Sequence, residues 1–565
     1  GYAISSADLN KIAAGTTGKV TATIANSEAI DQTLVSALQD VKTSDNITFA
    51  PVDNDLDGNS EISALISLSK ILPKADFSAI NTIEGSANDV AAIKQALAIL
   101  KNNAAVAVEI TGSINAADIN AISKATKGIL TADIRDGSIK ATLSALKDID
   151  QNVKADKLTF KSTDTTASAK DMVALAAKTD DEANFNFTSV KTITADAKDA
   201  DSVVDALGLT TINSAPEIKI SGNVELADIT SIITASNSAG GKVIANVKAG
   251  TDADLLEAIK TAAGTDVLNL TVTGATATAT TLLALDTKTA GTIAVEAAAI
   301  TGSPSNLGTL YTNATGAFTK LGNENVTITG IITTAAELNK VAAATSGKVT
   351  ATLVANTTID SAAVTALKDV KASDNINFDS TATTITGSGL SALLAIYKII
   401  PNADFSLITS ITAVNASDVA LLKNAIKLVA PTATVAFSAG EEISAADANT
   451  ISKATSGAVT ATIKDGSVAA TLKALKDVDV IAKADVFTFA STDKTAKASD
   501  LVALSDKIGA ANFTAAKIET VTGTAADAAS GDIAAALLLA GLITTNPEVK
   551  ISGTVDSAYI KAIID

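Results

Sequence analysis

The sequence contains no cysteine, no histidine and no tryptophan, one methionine, and a single arginine, Arg135. Each absence removes chemistry. Without histidine there is no side chain whose ordinary pKa lies near neutrality. Without cysteine there is no thiolate nucleophile, no disulfide and no soft metal ligand. Ser–His and Cys–His mechanisms are therefore closed, as are zinc, haem and iron–sulfur sites with their usual ligands. Only a carboxylate pair or a Ser–Lys pair is left for catalysis, and the chain reads as a non-enzyme. A cysteine-free chain is indifferent to the redox state of its compartment, so this absence does not separate cytosol from exterior.

Aromatic residues are scarce at 3% although 47% of the 565 residues are apolar. Small and β-branched side chains carry that apolar content, which suits thin regular layers better than one large core. A chain of this length predicts several domains or a quasi-one-dimensional stack. Positive charge is also in short supply: Lys and Arg number 43 against 61 Asp and Glu, a net charge of −18. Such a surface repels phosphate backbones and anionic membrane surfaces, and attracts divalent cations. Long hydrophobic runs are missing. The longest lies near Ile533–Ile543, about half of the ~20 residues a membrane span needs. The start, Gly1-Tyr2-Ala3-Ile4, has no basic region typical of a signal peptide, so a mature or internal start is expected.

What is present is repetition. Ala7-Asp8-Leu9-Asn10-Lys11 reappears as Ala336-Glu337-Leu338-Asn339-Lys340, and Gly18-Lys19-Val20-Thr21-Ala22-Thr23 as Gly347-Lys348-Val349-Thr350-Ala351-Thr352, an offset of 347 − 18 = 329. By Pro216-Glu217 against Pro547-Glu548 the offset is 331. The expected organisation is one unit over residues 1–329 and a second, incomplete unit over 330–565.

A shorter period runs inside each unit. Ile129–Ile134 alternates, with Leu130, Ala132 and Ile134 on one face, and predicts a strand. Asp136-Gly137 follows as a turn. Ser138 then reads as the N-cap of a helix to Ile149, with Ile139, Leu143, Leu146 and Ile149 forming one apolar stripe. Neither pattern buries its apolar face alone. About twelve such turns fit one unit, near the 20–29 residues of leucine-rich-like repeats. The predicted fold is an α/β chain: a right-handed αβ-solenoid of stacked strand–helix turns with a parallel sheet on one face. Neither end shows a polar cap, which predicts a segment of a longer chain or a subunit that polymerises head to tail.

The repeats resemble the tandem repeats of giant cell-surface proteins of marine unicellular cyanobacteria, one of which is associated with flagellum-independent swimming. The likeness is carried by Ala-Asp/Glu-Leu-Asn followed by Thr-x-Gly-x-Val-Thr-Ala at Ala7–Ala22 and Ala336–Ala351, and by Ile-Thr-Gly or Val-Thr-Gly at Ile110–Gly112, Ile300–Gly302 and Val521–Gly523. The resemblance implies a secreted surface-layer, fibre or adhesive role and carries over no site residues.

The sharpest local motif is Asp53-Asn54-Asp55-Leu56-Asp57-Gly58-Asn59-Ser60-Glu61. Oxygen ligands at alternate positions with glycine sixth match the front half of a calcium loop, making Asp53, Asp55, Asp57, Asn59 and Glu61 candidate calcium ligands. Ala64 stands where the bidentate glutamate belongs, and an acidic surface turn is the competing reading. Asp180-Asp181-Glu182 and Glu441-Glu442 read as solvated charge. Asn-x-Thr sequons, among them Asn46, Asn186, Asn356 and Asn512, accept glycans if the chain is secreted. The expected function is an extracellular structural repeat protein at the cell surface (surface layer, fibre or spacer). Its expected partners are copies of itself or further repeats. The alternative is an adhesin that binds glycans or cells.

Overall fold

The computed structural model describes residues 2–100, 105–150, 155–313, 316–355, 359–429, 435–478, 484–539 and 547–564. Strands and helices alternate along the chain, every strand pairing is parallel, and among the described residues no sheet closes into a barrel. The chain forms two compact units. One comprises Gly1–Val272, Ala284–Val295 and Ala317–Thr319; the other comprises Thr273–Leu283, Glu296–Gly316 and Lys320–Asp565. The division thus falls ahead of residue 330, where the sequence copies meet. The first unit holds sheets of two, six and seven strands, and the second holds sheets of five, six and three.

The strand and helix predicted at residues 129–149 form as Leu130–Gly137 and Ile139–Ala145; the strand takes in Asp136-Gly137, expected as a turn, and the helix stops short of Ile149. Leu130, Ala132 and Ile134 are buried, as their alternation requires, and Thr131, Asp133 and Arg135 point away from the core. The Ser138 hydroxyl does not cap the helix. Asp164, from the following turn, accepts the Ile139 amide at 2.7 Å instead. A carboxylate competes better than a hydroxyl for an orphan helix donor, because the charge also meets the positive end of the helix. On the helix Thr142 is buried with Ile139, and Leu143 only partly so.

The pattern repeats more finely than the 329-residue offset. Asp45, Asp156, Asp266, Asp374 and Asp485 hold equivalent places, successive members lying near the spacing of 266 − 156 = 110 residues. Each carboxylate accepts the amide of the first core residue in the preceding strand: Val20 at 2.9 Å, Leu130 at 2.9 Å, Val243 at 2.8 Å, Val349 at 2.9 Å and Val459 at 2.8 Å. Four of the five aspartates are no more than 5% exposed, and Asp374 is half-buried. In three of them the second oxygen accepts an amide just ahead in its own loop: Lys42 for Asp45, Ala263 for Asp266 and Lys371 for Asp374. Asp485 takes the Ser452 hydroxyl at 2.7 Å.

The sequence motifs have physical counterparts in the same frame. In Ala-Asp/Glu-Leu-Asn the acidic residue is the third of its helix, and its amide is capped by Ser5, Asn115, Thr334 or Ser444. The apolar residue after it is buried in each case: Leu9, Ile119, Leu338 and Ala448. The asparagine then joins the next turn by two bonds to one aspartate: Asn10 with Asp40, Asn120 with Asp148, Asn339 with Asp369, and Asn449 with Asp477. In Thr-x-Gly the threonine hydroxyl donates to a carbonyl one turn back, as Thr126 does to Val106, Thr345 to Glu324 and Thr455 to Val435. It also accepts the amide of the glycine two residues on. That glycine passes so close to the preceding strand that a Cβ on Gly128 would lie 2.1 Å from the Val106 oxygen.

At Ile110–Gly112, Ile220–Gly222 and Ile328–Gly330 an Ile-Thr-Gly or Ile-Ser-Gly phrase coincides with a change of register, whereas at Ile300–Gly302 and Val521–Gly523 the pairing stays in step. Gly112, Gly222 and Gly330 have φ of +79°, +84° and +87°, which glycine adopts without a steric penalty. Pairing with the next strand slips across each of them, between Ile110 and Ser113, Ile220 and Asn223, and Thr327 and Ile331. The few aromatic residues are also placed by the repeat. Phe49 with Phe77, Phe160 with Phe185, Phe378 with Phe405, and Phe489 with Phe513 form ring pairs 5.6 to 6.3 Å apart across successive turns.

Replacing Asp156 by alanine strands the buried Leu130 amide and is expected to cost about 1–3 kcal/mol, measured by denaturant unfolding. The Val20 amide, with help from the Lys42 amide and the lysine charges nearby, holds the Asp45 carboxyl below the ordinary range. Its stabilisation is full above about pH 3.9, the unfolded value, and is lost as pH falls through the lower folded value. Asp45→Asn is therefore expected to flatten the acid limb of a stability–pH profile. Gly128→Ala is expected to destabilise by about 1–3 kcal/mol through forced backbone displacement. Gly18→Ala is expected to cost less, because a Cβ there meets only the Thr16 hydroxyl at 3.3 Å.

Candidate functional site

Residues 53–61 do not fold as one open loop. Asp55–Asp57 is a short strand paired in parallel with Thr82–Ser86, and a helix starts at Gly58, whose φ of +78° makes the bend. Strand alternation buries Leu56 and turns Asp55 and Asp57 outward together. The other three candidate ligands are engaged locally. Asp53 accepts the Ile30 amide at 3.2 Å, Asn59 accepts the Ser63 hydroxyl at 3.3 Å, and Glu61 folds back to accept the Asp57 amide at 2.8 Å. The bond from Asp53 has the form made by Asp164 to Ile139 and by Asp493 to Val468. Asp53 thus does the work of a repeat position, which no motif within 53–61 reveals. Among the described residues no three carboxylates are gathered about one point where a metal ion would sit.

Strand register creates an acidic feature that linear sequence hides. Asp57 stands opposite Glu84, and Glu84 opposite Glu109, so three carboxylates form a column across adjacent strands. Like charges directly opposite in a sheet are destabilising. The signal that finds this column is the pairing register, because the three residues are far apart in sequence.

The remaining acidic clusters are exposed, as their solvated reading requires. Asp180 and Asp181 precede the short 3-10 turn Glu182–Asn184, and Glu441 and Glu442 lie just ahead of the helix Ala445–Ala454. The sequon at Asn356 lies outside the described residues, as does the end of the apolar run from Ile533. Among the described residues no helix is long and apolar enough to cross a membrane.

A groove of about 520 Å³ lies over the outward face of strands Thr192–Asp196 and Glu217–Val224. Its charges neutralise one another. Lys170 faces Asp199 at 3.6 Å, Lys219 faces Glu217 at 2.7 Å, and the Ser221 hydroxyl donates to Asp196 at 2.5 Å. Elsewhere Tyr311 is largely buried and donates to Glu324, which is 4% exposed. Burial first, and the adjacent carboxylate second, push the tyrosine pKa far up, so the phenol stays protonated.

No protein-family model matches the chain, and no curated protein matches it in sequence.

Asp53→Ala is expected to cost about 1 kcal/mol to the same extent with calcium or with a chelator, read by thermal unfolding in both. Relieving the carboxylate column with Glu84→Gln is expected to raise stability at low ionic strength by a few tenths of a kcal/mol. The difference disappears near 1 M salt, where the screening length falls to about 3 Å.

Proposed function

We propose that the chain is an extracellular structural repeat protein of a cell surface, built as a right-handed αβ-solenoid, with self-assembly or continuation into further repeats as its mode of use. One observation carries this reading: the same inter-turn tie, a carboxylate accepting the strand amide of the preceding turn, occurs five times at near-equal spacing. A structure that ties one turn to the next by the same device about every 110 residues lengthens by adding whole periods. Strand–helix–strand connections in parallel sheets take the right-handed crossover in nearly all proteins.

Further observations support the role. Many outward strand positions are Thr, Asn or Ser, as with Thr460 and Thr462 beside Thr488. Such a surface stays hydrated while its β-propensity keeps the strands formed. The resemblance to repeats of giant cyanobacterial surface proteins points the same way.

Electron microscopy of the purified protein tests the assembly. Uniform filaments or lattices are the expected result, and isolated particles of one chain length at all concentrations contradict it. Repeating the measurement with a calcium chelator assigns calcium to the contacts if the assemblies dissolve, and removes it from them if they persist.

A further inference from the structure

Some lysines in this structure are held by backbone carbonyls. Lys42, Lys178, Lys371 and Lys507 each donate to a backbone carbonyl one turn back, at 2.9, 2.5, 2.7 and 3.1 Å. These carbonyls lie past the C-terminal ends of helices, where a cation is favoured. Twelve ion pairs hold further lysines, Lys453 among them. On the helix layer of the second unit four lysines gather at one groove, three of them outside both arrangements.

Lys423 and Lys427 on the helix Val419–Val429, Lys453 on Ala445–Ala454, and Lys476 after Val468–Ala474 line one groove of about 500 Å³. All four are exposed. Among the described residues no carboxylate pairs with Lys423, Lys427 or Lys476, and none of the three donates to a backbone carbonyl. The one acid in the groove, Asp477, is already held by two bonds to Asn449 and lies 3.9 Å from Lys453. The groove therefore carries a surplus of positive charge on a chain whose net charge is −18.

The arrangement is set by the repeat and then extended. Lys94, Lys124 and Lys147 stand one offset earlier (423 − 94 = 329, and likewise for the other two), beside the equivalent Asn120–Asp148 pair. Ala98 occupies the place of Lys427, so the second groove gains a fourth lysine.

We infer that this groove binds an acidic polysaccharide, its lysines receiving the carboxylate groups of successive uronic acid residues. Ammonium groups on flexible stems suit point-like, variably spaced carboxylates. The half-buried Thr450 supplies a hydroxyl for sugar hydroxyls, and the half-buried Ala454 supplies a small apolar contact beside it. Nucleic acid fits less well, because the groove has no arginine and no aromatic ring for a base to stack on. This inference deepens the cell-surface reading by naming a matrix partner, and it rests on that reading only for the biological setting.

A galacturonate hexasaccharide titrated into the full chain, followed by calorimetry, tests it. Saturable binding that weakens at least tenfold between 50 and 500 mM salt is expected, with none for a neutral glucan hexasaccharide. The variant Lys423→Gln, Lys427→Gln, Lys453→Gln, Lys476→Gln, with an unchanged circular dichroism spectrum and melting temperature, is expected to lose at least tenfold in affinity. The triple variant Lys94→Gln, Lys124→Gln, Lys147→Gln is expected to lose less. Unchanged affinity in the quadruple variant, equal binding of the neutral glucan, or equal binding of single-stranded DNA of matched charge each overturns the assignment. Filament formation is read separately, so failure here is distinguishable from failure of the structural role.

Discussion

A buried carboxylate that accepts the backbone amide of the neighbouring turn is the constraint on which the rest of this structure depends. Parallel strands bond to one another along their middles, but at five places the first buried amide needs a partner where the chain arrives from a loop. Asp45, Asp156, Asp266, Asp374 and Asp485 supply it. An unpaired buried amide costs more than a made hydrogen bond returns, so the aspartate selects one register of one turn on the next. The Asn–Asp pairs between helices and the threonine hydroxyls donating one turn back act on the same junctions. Apolar burial drives the layers together, and these polar ties decide where each layer stops.

Part of this was legible in the sequence and part was not. The alternation at Leu130, Ala132 and Ile134 and the apolar face of the helix after it stand in the residue order, because side-chain periodicity and burial are the same fact. The 329-residue offset was legible where similarity is high. The finer spacing was not, because its recurrences are single aspartates, glycines and asparagines scattered through stretches rich in alanine and threonine. Asp156 in Ala155-Asp156-Lys157 resembles a surface residue until its burial and its bond to Leu130 are known. Ser138 shows the converse: a sound local N-cap signal was displaced by Asp164, a stronger acceptor from the next turn.

The acidic segment 53–61 illustrates why a motif read without register misleads. Alternate carboxylates suit a metal loop, yet alternation is also the signature of a strand, and here Leu56 is drawn into the core and the strand forms. Asp53 is recruited by the amide of Ile30. The column of Asp57, Glu84 and Glu109 then arises from pairing alone. Lys42, Lys178, Lys371 and Lys507 are spent on carbonyls past helix ends, whereas Lys423, Lys427 and Lys476 beside Asn449 pair with no carboxylate among the described residues.

Removing one whole period tests the central claim most directly. In a chain lacking residues 107–216, Glu217 follows Val106 and the junction reproduces one that already exists. If each turn depends only on its neighbours, the shortened protein folds, keeps its per-residue far-ultraviolet circular dichroism, and melts within a few degrees of the full chain. Loss of cooperative unfolding, or a collapse of ordered structure throughout the remaining chain, would contradict the account.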